Sequence, residues 1–363
     1  MNFSTFFLRS FRLLLFPMAL LYGLILKVRN YLYDRDVLKS TSFNIPIINV
    51  GNLSVGGTGK SPMVDYIVSL LKNTFQVATL SRGYKRRTKG YILAGENSSA
   101  VEIGDEPMQF YLRHHEIAVA VGEERIEAVP QLLYDRPATE IIILDDAFQH
   151  RAITPGYNIL LTDYNNLYTR DFYLPTGDLR DNISSASRAE LIIVTKCPHD
   201  LSAEMAKQLE AEISPLPRQH LFFSAITYGL LYHIVSLTPR TFSKNTEVLL
   251  VCGIANPEPL TAYLNEQTSS YDAMYFKDHH IFSIDDLRDI RNRFENIQVS
   301  DKIIVTTEKD AVRLVKFRQE LKDLPFFVLP ISIGFLFEGK DRFNDLIINF
   351  IRDFRNRNDH HNE

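Results

Sequence analysis

Ser54-Val55-Gly56-Gly57-Thr58-Gly59-Lys60-Ser61 carries the most explicit chemistry in the chain. It follows an apolar run, Ile45 to Val50, and precedes apolar residues at helical spacing, Met63, Ile67, Leu70 and Leu71. It therefore reads as a loop between a buried strand and a helix. In that setting glycines let backbone N–H groups turn toward a phosphate, and the helix N-terminus adds partial positive charge. Lys60 can then reach the β- and γ-phosphates of a nucleoside triphosphate, and the Ser61 hydroxyl can ligate Mg²⁺. Ser54 stands where the usual G-x-x-x-x-G-K-[S/T] pattern has its first glycine. An ordinary glycine-rich turn explains the composition but not the order strand, loop, Lys-Ser, helix.

A second nucleotide signal is Ile141-Ile142-Ile143-Leu144-Asp145-Asp146, an apolar strand ending in acid, the form of a metal-holding Walker B segment. Five of the eight residues from Arg82 to Lys89 are basic and none is acidic. Such a run is usually a solvated face, but here it follows a strand on the sheet edge that carries the phosphate loop, where anionic ligands bind. Gly104-Asp105-Glu106-Pro107 opens a helix, and acids in a first turn ordinarily complement the helix dipole. His279-His280 is a pair whose role the local pattern leaves open. Thr195-Lys196-Cys197-Pro198 lacks the Asn and Asp of a guanine-reading N-K-x-D, so specificity for GTP is not supported.

These groups need a framework. The 363 residues, 45% hydrophobic, are enough for a full core and two domains. Net charge is −4, which does not point to nucleic acid, and two cysteines are too few for a disulfide framework. Strand–helix alternation predicts an α/β fold: a P-loop NTPase-type, mostly parallel sheet with helices on both faces, plus a smaller C-terminal α/β domain. The expected boundaries are 1–30 for an N-terminal membrane-associated helix, 31–227 for the phosphate-loop domain, 228–245 for a two-stranded connection and 246–340 for the smaller domain. Residues 341–363 read as a C-terminal helix and tail, the tail disordered from Arg355.

The N-terminus is unusual. Apolar residues dominate 3–29, broken by Arg9, Arg12 and Pro17, and the charge-free stretch Leu13–Leu26 spans 14 residues. That is shorter than the roughly 20 needed to cross a bilayer. Residues 1–40 carry +4 in a chain that is −4 overall, a pattern suited to the face of an anionic leaflet.

Taken together, GNLSVGGTGKSP (51–62), LSRGY (80–84), GDEP (104–107), VGEER (121–125), ILDDAFQH (143–150), LPTGDLRD (174–181), GIANPE (253–258), KDHH (277–280) and TTEKDA (306–311) resemble one family, tetraacyldisaccharide 4′-kinase. The motifs run in order over almost the whole chain, and Ser54 is ordinary for that family's loop. The resemblance implies ATP and Mg²⁺ as cofactors and transfer of the γ-phosphate to the 4′-hydroxyl of tetraacyldisaccharide 1-phosphate, giving lipid IVA. It implies the cytoplasmic face of the bacterial inner membrane, held peripherally or monotopically. The expected partners are the acylated disaccharide and the membrane surface, with no nucleic acid and no protein partner.

By the same resemblance, residues 54–61 serve ATP, Ser61, Asp145 and Asp146 serve the metal, and Asp105 with His279 forms a proton-accepting pair beside Lys60. His279 is favoured over His280 by alignment of KDHH. Arg82, Arg125, His150 and Arg180 are expected to meet the substrate's phosphate and sugar groups. Asp181 stands where the family pattern has Glu, and Ala147 where it has Gly. A P-loop switch protein or metallochaperone NTPase, and a membrane adaptor with a degenerate nucleotide site, are the competing classes. The missing guanine reader opposes the first, and intact Lys60, Ser61, Asp145 and Asp146 oppose the second.

Overall fold

The alternating direction of side chains along a strand explains how the sheet holds helices on both sides. In β1 (Ile47–Asn52) every residue is buried. Ile48 and Val50 pack with Met63, Val64 and Ile67 of α2 (Lys60–Leu71), while Ile47 lies in a separate cluster with Ala128, Val129 and Leu132 of α4 (Arg125–Asp135). Alternate side chains of a strand point to opposite faces, so an unbroken apolar strand needs a cover on each. The structure is a computed structural model describing residues 12–359. The expectations for residues 3–11 and 360–363 lie outside the described residues.

Around β1 the parallel core contains β2 (Val77–Ser81), β4 (Ala118–Val121), β5 (Ile141–Asp145), β6 (Tyr157–Asp163), β7 (Leu191–Thr195) and β8 (His220–Tyr228). Antiparallel edges, β3 (Ile92–Leu93) and β15 (Ile331–Phe335), complete the order β15-β8-β7-β6-β1-β5-β2-β4-β3. The longer of the remaining helices here are α1 (Phe16–Asp34), α3 (Asp105–Arg113), α5 (Ala203–Ile213) and the terminal α9 (Gly339–Asp359). The second sheet has the order β10-β9-β14-β13-β11-β12. Its strands are β9 (Leu231–His233), β10 (Pro239–Arg240), β11 (Glu247–Cys252), β12 (Ser270–Tyr275), β13 (Lys302–Thr307) and β14 (Phe326–Leu329), and its longer helices are α6 (Glu258–Gln267), α7 (Ile284–Glu295) and α8 (Glu308–Leu314).

The expected boundaries require three corrections. Residues 228–245 are not a free two-stranded connection, because β8 ends in the first sheet while β9 and β10 form an antiparallel edge of the second. The true crossing pairs β8 with β15 antiparallel, Tyr228 opposite Ile331, and Gly229 N–H donates to Pro330 O at 3.0 Å. Residues 331–335 thus leave the second domain for the first. The last helix also belongs to the first sheet, burying Phe343, Ile347 and Ile351 in its core, and it remains helical beyond Arg355 to Asp359.

The first helix runs to Asp34, past the expected boundary at 30, and is docked along one stripe. Ala19, Gly23, Leu26 and Asn30 are buried at helical spacing. A Cβ on Gly23 would lie 2.6 Å from the Tyr173 ring, so only glycine permits this approach. Asn30 Nδ2 donates to Asp181 Oδ1 at 2.8 Å, and Arg188 pairs with the other oxygen at 2.7 Å. The fully buried Asp181 is therefore a tie between the helix and the body.

Beside the crossing, Arg113 reaches Asp65 at 3.3 Å and the buried Glu308 at 2.8 Å, while Glu308 accepts from Ile331 N–H at 3.2 Å. Burial, opposed by Arg113, raises the Glu308 carboxyl from 4.5 to about 7. The unfolded chain ionises first, so stability is full below the ordinary value and is lost as pH rises to about 7. Glu308→Gln removes that titration. Relative to wild type, the variant should gain about 3 kcal/mol between pH 4.5 and 7 and then stay level. Calorimetric Tm measured against pH checks this, and parallel curves would contradict it.

Candidate active site

The phosphate loop leaves β1 at Asn52 and enters α2 at Lys60 through Gly59, whose φ of +85° is a left-handed conformation that favours glycine. Asn52 Nδ2 donates to Thr58 Oγ1 at 2.8 Å, and Thr195 Oγ1 donates to Thr58 O at 2.9 Å. Val55 N–H donates to Asp178 O at 2.7 Å. Thr195 thus braces the loop from β7, a role distinct from base reading. The first turn of α2 carries no acidic residue and no side-chain cap, so its N–H groups and dipole face the loop unopposed. Lys60 Nζ lies 3.5 Å from Gly56 O and 3.8 Å from Asp146 Oδ1. Ser61 is the second residue of the helix.

Asp145 ends β5 beside Val50 of β1 and is 2% exposed. Its Oδ1 is buried without a protein partner. Burial and the nearby Glu106 and Asp146 carboxylates push its pKa up to about 8. A divalent cation supplies what such a group lacks, so Asp145, Asp146 and Ser61 fit Mg²⁺ by donor type, all being hard oxygens. Asp146, at φ +56°, is only half-buried, and against that burial Lys60 and Arg180 hold its carboxyl below the ordinary range. No group of three or more His, Cys, Asp or Glu among the described residues could enclose a metal alone. The remaining ligands of a hard ion here would be phosphate oxygens and water.

Asp105 is the first residue of α3 and does not cap it. Its carboxylate turns toward the second domain, where His279 Nδ1 lies 2.9 Å from Oδ2. Despite burial, hydrogen bonds from Arg313 and His279 hold the Asp105 carboxyl low. His279 sits at φ +65° in the loop after β12. His280 turns away, with Nε2 3.0 Å from Asp286 and its ring 4.8 Å from that of Phe276. The loop geometry thus pairs His279 with the carboxylate. Glu106, the next residue after Asp105, bears electrostatically on Asp145.

The four expected substrate contacts divide. Arg82 is exposed, and His150 is half-buried with Nε2 3.9 Å from Glu124 Oε2. Burial, then Arg125, lowers the His150 pKa; Glu124 opposes this, while Arg29 and Arg82 reinforce it. Arg29 of α1 donates to Gln149 O at 2.8 Å, so the first helix reaches the site's mouth. Arg180 grips Asp146 with both terminal nitrogens, Nη1 at 3.1 Å from Oδ2, and also bonds Asn52. Arg125 departs from expectation. It is 2% exposed and donates to the Gly122 and Glu123 carbonyls at 3.1 and 2.9 Å, a buried position from which it bears electrostatically on Asp146 and Asp145.

Two cations escaped the sequence reading. Thr307 caps α8 by accepting from Asp310 N–H, and Lys309 and Arg313 follow at i and i+4, on one face. Arg313 Nε donates to Asp105 Oδ1 at 2.8 Å and its Nη2 also meets Oδ2, while Lys309 Nζ lies 2.8 Å from Asp278 Oδ1 and 3.4 Å from His279 Nε2. Lys309 lies within the quoted TTEKDA run, but no local signal separated it from a solvated helix face.

A parallel sheet with a Lys-Ser phosphate loop, an adjoining acidic pair and a carboxylate–imidazole contact at its edge defines a P-loop phosphotransferase. The family model described as tetraacyldisaccharide-1-P 4′-kinase matches residues 11–352. The tetraacyldisaccharide 4′-kinase of Bacteroides thetaiotaomicron is 42% identical over 355 residues, covering 93% of each chain. That of Flavobacterium psychrophilum is 46% identical over 341 residues, covering 93% of this chain and 96% of its own. The crystal structure of LpxK from Aquifex aeolicus in complex with ATP superposes with a TM-score of 0.73 at 28% identity, covering 94% of this chain and 99% of that one. The chain belongs to the tetraacyldisaccharide 4′-kinase family.

Proposed function

We propose that this chain transfers the γ-phosphate of ATP to the 4′-hydroxyl of tetraacyldisaccharide 1-phosphate, a step of lipid A biosynthesis, and that Asp105 and His279 accept the hydroxyl's proton. The observation that carries the residue assignment is the 2.9 Å contact between Asp105 and His279, which joins the start of α3 in the first domain to the loop after β12 in the second. The α2 N-terminus, loop residues 54–61 and Lys60 bind the phosphates of ATP. Ser61, Asp145 and Asp146 would hold Mg²⁺, which when bound neutralises charge on the phosphate oxygens. A sugar hydroxyl is a weak nucleophile until its proton leaves. Asp105 takes that proton as the new O–P bond forms and the bond to ADP breaks, and His279 Nδ1 receives it in turn.

Arg180, already on Asp146, serves the phosphates being transferred. Arg82 and His150, with Arg29 alongside, suit the substrate's anionic and sugar groups. Arg125 acts electrostatically on the acidic pair. Because the base and its imidazole come from different domains, domain closure would complete the site and exclude water from ATP. The test is transfer of labelled γ-phosphate to the acylated disaccharide 1-phosphate, with and without Mg²⁺. Acceptor-dependent labelled lipid supports the reading, whereas slow hydrolysis indifferent to lipid would return the chain to the switch-protein class.

We further propose attachment to the cytoplasmic leaflet, where ATP and the embedded acceptor meet. No helix of the described residues is long and apolar enough to cross a membrane. Yet Leu13, Leu14, Met18, Leu20, Leu21, Leu24, Ile25 and Val28 are each 51–74% exposed along and just before α1, an apolar surface suited to lying in the interface. Replacing Leu20, Leu24 and Ile25 together by glutamine should weaken binding to phosphatidylglycerol vesicles by about two orders of magnitude. Cosedimentation measures it, and unchanged binding would show that another surface anchors the protein.

A further inference from the structure

Arg313 joins the catalytic groups from the far side of the chain, 208 residues from Asp105. Its side chain is 7% exposed. One face of the guanidinium spans both carboxylate oxygens, and the same Nη2 lies 2.7 Å from His279 Nδ1. Nδ1 therefore has two competing neighbours, one that only accepts a hydrogen bond and one that only donates. A protonated Nδ1 donates to Asp105, and a bare Nδ1 accepts from Arg313. On the other side of the ring, Nε2 is 3.5 Å from Asp278 Oδ2, an acceptor for a proton carried there, with Lys309 Nζ at 3.4 Å. Tyr84 approaches the ring at 6.2 Å between centroids, and Lys85 bears on Asp278.

We infer that Arg313 is a positioning residue for the transfer: it keeps Asp105 ionised and, by donating to Nδ1, holds His279 in the Nε2–H tautomer whose Nδ1 lone pair is open to the substrate's proton. This rests on the proposed proton-accepting pair and adds a third member to it. The proton balance is complete. The acceptor O–H breaks and its proton goes to Asp105, then to Nδ1. Nδ1 exchanges its hydrogen bond from Arg313 for one to Asp105, and Asp278 faces the Nε2–H of the resulting imidazolium. The fork geometry explains why arginine suits this position, since two donors aimed at one carboxylate leave a third contact for the ring. Arg313 is the leading influence that holds the Asp105 carboxyl low against its burial, which agrees with this geometry; a His279 donating from Nδ1 would add to it.

The test uses the full chain with saturating ATP and acylated disaccharide, comparing wild type and Arg313→Met from pH 5.5 to 8.5. Without the guanidinium, burial favours the protonated carboxyl, so the variant loses most at the acid end. The ratio of wild-type to variant kcat should fall about tenfold across the range, the factor of one pH unit, with little change in KM for ATP. In an Asp105→Asn background the same substitution should have no further effect. A ratio flat with pH would show mere packing and overturn the inference while leaving the pair intact. If Asp105→Asn alone left turnover unchanged, the pair itself would fail. A measurement on wild type removes dependence on the variant's folding: the ¹⁵N imidazole signals of His279, assigned by their loss in His279→Gln. A bare Nδ1 at neutral pH supports the inference, and a protonated Nδ1 overturns it.

Discussion

Asp105→Asn should lower kcat by about 10²–10⁴-fold, the usual range for removing a positioned general base. Asparagine preserves the shape and can accept from Arg313 Nε, which now sits 2.8 Å from Oδ1, so the helix start and the junction with α8 remain. What it cannot do is take the hydroxyl's proton. The backbone is equally indifferent, because the left-handed turn before α3 is made by Gly104 at φ +96° and not by residue 105. KM for ATP should change little, since none of the contacts of Asp105 reach the phosphate loop. Single-turnover transfer of labelled γ-phosphate measures the chemical step directly. A loss confined to KM for ATP, or none, would move the base elsewhere.

The second large effect is at Lys60. Its Nζ is held between Gly56 O and Asp146 Oδ1, at 3.5 and 3.8 Å, where it can follow negative charge from the ground state into the transition state. Lys60→Met keeps most of the aliphatic stem and removes the charge. The expected loss is about 10²–10³-fold in kcat, as for deletion of one preorganised electrostatic contact, with a rise in KM for ATP as well. This dual effect distinguishes Lys60 from Asp105. Steady-state kinetics with varied ATP checks it. An unchanged kcat with a raised KM would restrict the lysine to binding.

Local and long-range features of the chain differ in how far they can be read. The strand, glycine turn and helix from Ile45 to Leu71 are legible because their signals lie within a few residues of each other, an apolar run giving way to helical spacing across a Lys-Ser pair. Asp145 is legible for the same reason. The pairing of Tyr228 with Ile331 is not, because no local pattern announces a partner over a hundred residues away, and the expected boundary at 340 left β15 in the smaller domain. Charge misled twice. Arg125 looked like a ligand contact but satisfies backbone carbonyls in the interior. The charged run from Arg355 looked solvated and unfolded, yet it continues a helix whose Phe343, Ile347 and Ile351 are buried in the first domain's core. His279 entered through family resemblance, and Arg313 lies just beyond the motif that would have drawn attention to it.

The most direct measurement of the central claim compares His279→Ala and His280→Ala side by side in transfer of labelled γ-phosphate to tetraacyldisaccharide 1-phosphate. The neighbouring imidazoles share a loop but not an orientation, one facing Asp105 at 2.9 Å and the other Asp286 at 3.0 Å. The account predicts that His279→Ala loses about 10²-fold or more in kcat, while His280→Ala keeps kcat within a few-fold. Equal losses, or a larger loss at His280, would contradict a carboxylate–imidazole pair formed between the two domains at Asp105.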